Sequence, residues 1–236
     1  MIICIQRTIS RLALAVCLVY TGIFVGAFCS ADVTGSSGSG GNIPDNNLAG
    51  VMNTVTITEA EVIQGATFTV EGLSHTWIGD LIVTVSHSTS GKSATLFHRV
   101  GTTSNAGSTG DSSDVNGTYV FQDGASSIWT ESASGDSAYV VTPGTYAATG
   151  LNETAVDLDS IFVGESTQGD WIFTLADADA NDDGGVFAQT SVSFVSAAAV
   201  PEPGTMATIV LGTLFGGIYL RRRQKNKLAQ SSPKAA

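Results

Sequence analysis

Leu73-Ser74-His75-Thr76-Trp77-Ile78-Gly79-Asp80-Leu81-Ile82-Val83-Thr84-Val85 is the stretch on which the fold turns. Its second half has a two-residue period: Leu81, Val83 and Val85 alternate with Ile82 and Thr84, the pattern of a half-buried strand rich in β-branched residues. Its first half breaks that period, so one strand ends and another begins here. Gly79 suits a tight bend. Asp80 can accept from nearby backbone N–H groups or hold a cation. Trp77 is expected to lie over the core as a large apolar plate.

Outward from this corner the chain reads as short strands separated by turn residues. The segments are 53–58, 66–73, 81–87, 94–99, 117–121, 137–141, 160–163, 171–176 and 186–195, with no run of helical period between them. Trp171, Phe173 and Leu175 share one face of their strand, as do Val192 and Phe194 of the last, and both sets are expected in the core. Residues 105–116 form a long Gly/Ser/Thr/Asp loop. About eight strands without helices predict an all-β, two-sheet β-sandwich.

The 236 residues carry a formal net charge of −11, which hides a sharper division. All 21 acidic residues lie between Asp32 and Glu202, where Lys92 and Arg99 are the only basic ones, so this part carries 2 − 21 = −19. Such a body repels nucleic acid and anionic lipid, which excludes nucleic-acid binding, and it suits solubility in salt and cation binding. Cys4, Cys17 and Cys29 all precede Asp32. With that segment removed no disulfide, thiolate metal site or cysteine nucleophile is possible.

The ends are addresses rather than fold. Arg7 and Arg11, the apolar run 12–28 and the small residues Ser30 and Ala31 follow the order of a secretory signal peptide, residues 1–31, cleaved after Ala31. Residues 32–42, with Gly-Ser-Ser-Gly-Ser-Gly-Gly at their centre, read as a flexible linker. The domain is expected over 43–196. Past it come Val200-Pro201-Glu202-Pro203-Gly204, an apolar run at 205–220 and Arg221-Arg222-Arg223-Gln224-Lys225. That run is slightly short for a transmembrane helix of about 20 residues, and Tyr219 with the arginines can extend it. The positive cluster marks the cytoplasmic side and leaves 226–236 as a cytoplasmic tail.

Two resemblances follow. His75-Thr76-Trp77-Ile78-Gly79-Asp80-Leu81 resembles the signature of the P domain, or P/Homo B domain, which accompanies the catalytic domain of subtilisin-like proprotein convertases. Ile43-Pro44-Asp45-Asn46, Leu96-Phe97-His98-Arg99-Val100-Gly101, Phe162-Val163-Gly164 and Gly169-Asp170-Trp171-Ile172-Phe173 match it in the same order over 43–196. This implies a jelly-roll-like, galactose-binding-like sandwich in which His75, Trp77, Gly79, Asp80 and Trp171 are structural. The tail resembles the PEP-CTERM sorting signal, with Pro201, Glu202 and Pro203 as its motif. That implies an exosortase client, anchored in the inner membrane before processing and then released to the cell surface or extracellular matrix. Extracellular polysaccharide or a surface protease are the further partners implied.

Chemistry has few places to sit. A subtilisin-like catalytic domain does not fit in this length, and neither Gly-x-Ser-x-Gly nor His-Glu-x-x-His occurs. His75, His87 and His98 therefore read as ordinary hydrogen-bonded histidines, and no catalytic residue is assigned. The densest carboxylate cluster is Asp177-Ala178-Asp179-Ala180-Asn181-Asp182-Asp183-Gly184-Gly185. It opens like an EF-hand but has Asp182 at the obligatory glycine position and Ala188 at the bidentate glutamate position, so it is not one. A structural Ca²⁺ bound by Asp177, Asp179 and Asp183, with Asp80 from the corner, is expected. Trp129, in a loop beside Ser126-Ser127-Ile128, is the aromatic that could contact a glycan. The reading is a secreted structural or binding module without catalytic apparatus; the alternatives are an accessory module of a subtilisin-like serine endopeptidase and a glycan-binding adhesin.

Overall fold

Alternating burial along the strands builds two sheets that share one core. In the computed structural model the described residues are 32–102, 110–132, 136–180 and 184–196. The larger sheet runs β1 (Asp32–Ser36), β12 (Gln189–Ser196), β4 (Ile63–His75) and β7 (Asp114–Ser127). Short β8 (Val140–Val141) and β9 (Gly144–Ala147) lie parallel to β7. β11 (Gly185–Phe187) joins the end of β4 through Val186 and Ser74, and β2 (Gly41–Ile43) pairs with β11. The smaller sheet runs β3 (Asn47–Ile57), β10 (Gly169–Asp177), β5 (Leu81–His87) and β6 (Ser93–His98), all antiparallel. The all-β sandwich expected from the sequence is the architecture observed.

Aromatic side chains from the two sheets fill the space between them. Phe68 of β4 meets Trp171 and Phe173 of β10 at ring-centroid distances of 5.7 and 6.1 Å, and Phe194 of β12 meets Trp171 at 4.5 Å. All four are fully buried, and the Trp171 indole N–H donates to the Thr167 carbonyl at 3.0 Å. Each such side chain contributes about 1.5–3 kcal/mol on burial, so the interior supplies the cohesion that cross-links supply elsewhere. Leu81, Val83, Val85, Leu175 and Val192 are buried as their alternation requires.

Four expectations are corrected. Residues 32–42 are not a free linker: β1 pairs with β12 from Asp32–Val195 to Ser36–Ser191, and Ser37 N–H donates to the Thr190 carbonyl. Glycine-rich composition concealed an edge strand with one inward residue, Val33. Residues 158–162 form a helix, α1 (Leu158–Phe162), where a strand was expected. Asp157 caps it by accepting from Ser160 N at 2.7 Å, and Leu158 and Phe162 bury one face. A five-residue helix is too short to show its period. The segment 186–195 is two strands, β11 and β12, both paired with β4, and Ala188 between them donates to the Glu71 carbonyl of β4. Of 137–141 only Val140 and Val141 are strand. Among the described residues no helix is long and apolar enough to cross a membrane. The signal peptide, the sorting motif and the span expected at 205–220 lie outside the described residues.

Candidate functional site

The corner at 76–80 carries the chain from the larger sheet to the smaller. β4 ends at His75 and β5 begins at Leu81, with Ile78–Asp80 forming one 3-10 turn between them. Ile78, not Trp77, takes the core position: Ile78 is fully buried, while Trp77 is half-buried. The turn is locked from outside by the segment at 110–113. Ile78 N–H donates to Ser113 O at 2.8 Å and Gly79 N–H to Asp111 O at 2.9 Å. A Cβ on Gly79 would lie 2.5 Å from Asp111 N and 2.7 Å from the Gly110 carbonyl carbon, so backbone meets backbone and only glycine fits.

Two polar pairs hold this corner. His75 lies 3.1 Å from Asp177 through Nε2 and Oδ2, both side chains buried. Trp77 N–H donates to His75 Nδ1 at 3.0 Å, which puts the imidazole hydrogen on Nε2 and makes it the donor to Asp177. Because β4 and β10 belong to different sheets, this bond staples the sandwich across its end. The second pair is Asp80 with Arg99, 3.7 Å apart and both buried. Arg99 also donates through Nε to the Gly79 carbonyl at 3.0 Å, and its own N–H reaches Leu81 O at 2.8 Å. Ala178 N–H donates to Asp80 O at 2.9 Å, bringing the end of β10 onto the same turn. In the sequence Arg99 stands within the motif Leu96–Gly101 with no evident role. Its signal was available: one of two basic residues in an acidic body, within two residues of Phe97 and Val100, points to a buried partner.

Of the residues expected to hold calcium, Asp177, Asp179 and Asp80 are engaged within the fold. Asp177 Oδ2 accepts from His75 and its Oδ1 accepts from Asp179 N at 3.0 Å. Asp80 is buried against a guanidinium. Asp179 Oδ1 turns to Ala180 N at 2.8 Å, and Asp183 lies outside the described residues. Among the described residues no group of three or more acidic, histidine or cysteine side chains is arranged to hold a metal ion. Asp177, the first carboxylate of the run, is turned to the interior.

The other polar candidates are likewise occupied. His87 stacks on Trp171 at 4.2 Å with an interplanar angle of 6°. Its Nε2 faces the Gln168 carbonyl at 3.1 Å, so Nε2–H donates there, and Nδ1 faces Ser90 Oγ at 3.1 Å. A serine beside a histidine is the beginning of a nucleophile. Here the ring is sealed under Trp171, and Ser90 Oγ also accepts from Lys92 N at 3.3 Å, which makes it a turn brace. Burial pushes the His98 imidazole below its ordinary range; its own backbone opposes this and Arg99 adds to it. Trp129 is half-buried and packs against the core with its indole nitrogen buried. A shallow cavity of about 450 Å³ is lined by Ala147, Ala148, Val156, Asp123, Asp157 and Asp159. Its carboxylates are engaged: Asp123 accepts from Leu158 N and Asp159 N, Asp157 from Ser160 N, and Asp159 from Ala66 N.

Comparison with known proteins adds one firm assignment. Residues 199–223 match the PEP-CTERM protein-sorting motif, as the Pro201-Glu202-Pro203 reading anticipated. The chain is thus an exported protein sorted through exosortase, with a membrane-anchored precursor stage. No curated protein matches the chain. Solved structures similar to it include two from Aeromonas sobria. One is the Aeromonas sobria serine protease in complex with the chaperone ORF2, at 15% identity over 72% of this chain and 27% of that one, TM-score 0.41. The other is the serine protease of Aeromonas sobria, at 13% identity over 70% and 27%, TM-score 0.37. This chain therefore spans about a quarter of the solved chains it matches, and its architecture rests on its own strand pairing.

Proposed function

We propose that the mature protein is a non-catalytic module of P-domain type, displayed at the cell surface or in the extracellular matrix, with a structural or binding role. The observation that carries this reading is the fate of the resembling motif. His75, Gly79 and Asp80 are all spent on holding the corner between the sheets, through Asp177, Asp111 and Arg99. Trp171 is spent on the core. A motif consumed in this way is architecture, and the family resemblance assigned it the same role. The histidines support the non-catalytic half: His75 and His87 are buried, and each has both ring nitrogens engaged.

An active-site-directed fluorophosphonate probe tests the absence of an activated serine. The full chain stays unlabelled on this reading. Labelling that disappears in Ser90→Ala would overturn it and favour an enzyme. Sorting is tested apart from chemistry: Pro201→Ala with Pro203→Ala retains the chain in the membrane fraction, and unaltered release would remove these prolines from the signal.

Calcium enters this proposal only through Asp179 and Asp183 of the 177–185 run. Neither the corner nor the sheet staple depends on it.

A further inference from the structure

Three of the large hydrophobic residues that stand exposed among the described residues gather at one place. Val62, Val163 and Val195 are exposed by 48, 41 and 47%. All three surround Ile63, which is fully buried. Val62 precedes Ile63 in the chain and bridges to Ser166. Gly164 N–H, next to Val163, donates to Ile63 O at 2.9 Å, and Ile63 N–H donates to Glu165 O at 2.9 Å. Val195 is paired with Gly65 and its neighbour Ser196 with Ile63. Valines scattered singly over a surface need no explanation, but three gathered around one residue mark a place where something is covered.

The position of this patch decides its occupant. Ser196 ends β12, and the sorting motif opens five residues later at Pro201. Five residues span at most about 18 Å when fully extended. The enzyme that sorts through Pro201-Glu202-Pro203 must therefore work within that reach of Ser196. Its outer surface and this end of the sandwich are held together by the substrate segment itself. A tether this short gives an effective concentration on the order of millimolar, at which a contact too weak to form between free molecules is populated. Size and charge speak against other occupants. Three valines fall well short of the roughly 800 Å² per partner of a stable protein–protein interface, so a second copy of the chain, which lacks the tether, is not held. Asp32, opposite Val195, and Glu61, next to Val62, put carboxylates at the rim, and these repel anionic lipid headgroups.

We propose that Val62, Val163 and Val195 form a docking surface for the exosortase, engaged while the Pro201-Glu202-Pro203 segment is in its active site. This rests on the assignment of the sorting motif and adds a recognition element in the folded domain. The enzyme then reads both the motif and the end of the sandwich that carries it.

Pulse-chase of the full chain in its own host, with separation of membrane and released fractions, tests it. The triple variant Val62→Ser, Val163→Ser, Val195→Ser keeps the motif and is expected to slow release at least ten-fold. Val140→Ser with Val186→Ser, two comparably exposed valines on β8 and β11, is expected to leave release unchanged. A second measurement covers a triple variant that fails to fold. A photoreactive benzophenone amino acid in place of Val163 is expected to cross-link to the exosortase, identified by mass spectrometry, and one in place of Val186 is not. Release at the natural rate in a folded triple variant would overturn the proposal, as would cross-links from position 163 that reach only lipid or a second copy, or none at all. Pro201→Ala with Pro203→Ala reads the motif separately. Release blocked by that change but untouched by the valine changes sinks this inference alone; release untouched by both sinks the motif reading beneath it.

Discussion

His75 Nε2 donates to Asp177 Oδ2 at 3.1 Å, and this one bond joins the last residue of β4 in one sheet to the last residue of β10 in the other. In Asp177→Asn the amide can keep its oxygen on Asp179 N, which points an N–H₂ donor at the Nε2–H donor. The Trp77 N–H blocks the opposite tautomer by occupying Nδ1. The variant is expected to lose about 1–3 kcal/mol, the cost of an unmade buried hydrogen bond. Urea unfolding measures it. The loss is expected to be equal in millimolar calcium and in chelator; a loss seen only with calcium present would return Asp177 to the role of metal ligand.

Arg99→Met leaves the Asp80 carboxylate buried without its guanidinium and removes the bond to the Gly79 carbonyl. Breaking a buried pair from one side costs about 3–5 kcal/mol. Adding Asp80→Asn is expected to recover a substantial part of the loss, because the uncompensated charge goes with it. Strict additivity of the two single losses would show that the residues do not act as a pair.

Gly79→Ala forces a methyl into backbone at 2.5 Å and is expected to cost about 1–3 kcal/mol or more. Gly91 is the contrast: its φ is +70° but a Cβ there meets nothing within 4 Å, so Gly91→Ala carries about 1 kcal/mol of conformational strain alone. Equal unfolding midpoints for the two variants would contradict the close approach of Gly79 and Asp111.

Burial pushes the Tyr119 hydroxyl up to about 12; the Asn116 N–H opposes the shift and Tyr146 adds to it. The native state therefore holds a proton that the unfolded chain releases near pH 10. Stability from this group is fully present below about pH 10 and is lost as pH rises from about 10 to 12, by on the order of 2 kcal/mol. Tyr119→Phe is expected to flatten that part of the pH profile while losing the bond to Val141 O at 2.7 Å. An alkaline profile of unchanged slope would contradict the assignment.

What could be read in the sequence was what repeats. Leu81, Val83 and Val85, and Trp171, Phe173 and Leu175, announced their strands because burial on one face writes a period of two. The corner at His75–Asp80 was visible because it interrupts that period. The partners of the corner were not visible. Asp177 lies 102 residues from His75, and Arg99 lies 19 from Asp80, just past the end of β6; neither spacing follows from local pattern. The aspartates of 177–185 suggest a cation by their adjacency in sequence, and strand alternation sends the first of them, Asp177, inward to His75, a pairing that adjacency does not reveal. β1 was missed for the opposite reason: an edge strand with a single buried residue has almost no pattern to read.

The pairing of β1 with β12 also determines how the molecule bears load. Asp32 lies opposite Val195, so the chain enters and leaves through neighbouring strands at the same end of the ladder. A pull between these two ends peels the five pairs one after another, like a zipper, instead of shearing them together. The weakest mechanical element of the fold is therefore its outermost strand, and the first step of forced opening detaches β1 before it disturbs the aromatic interior.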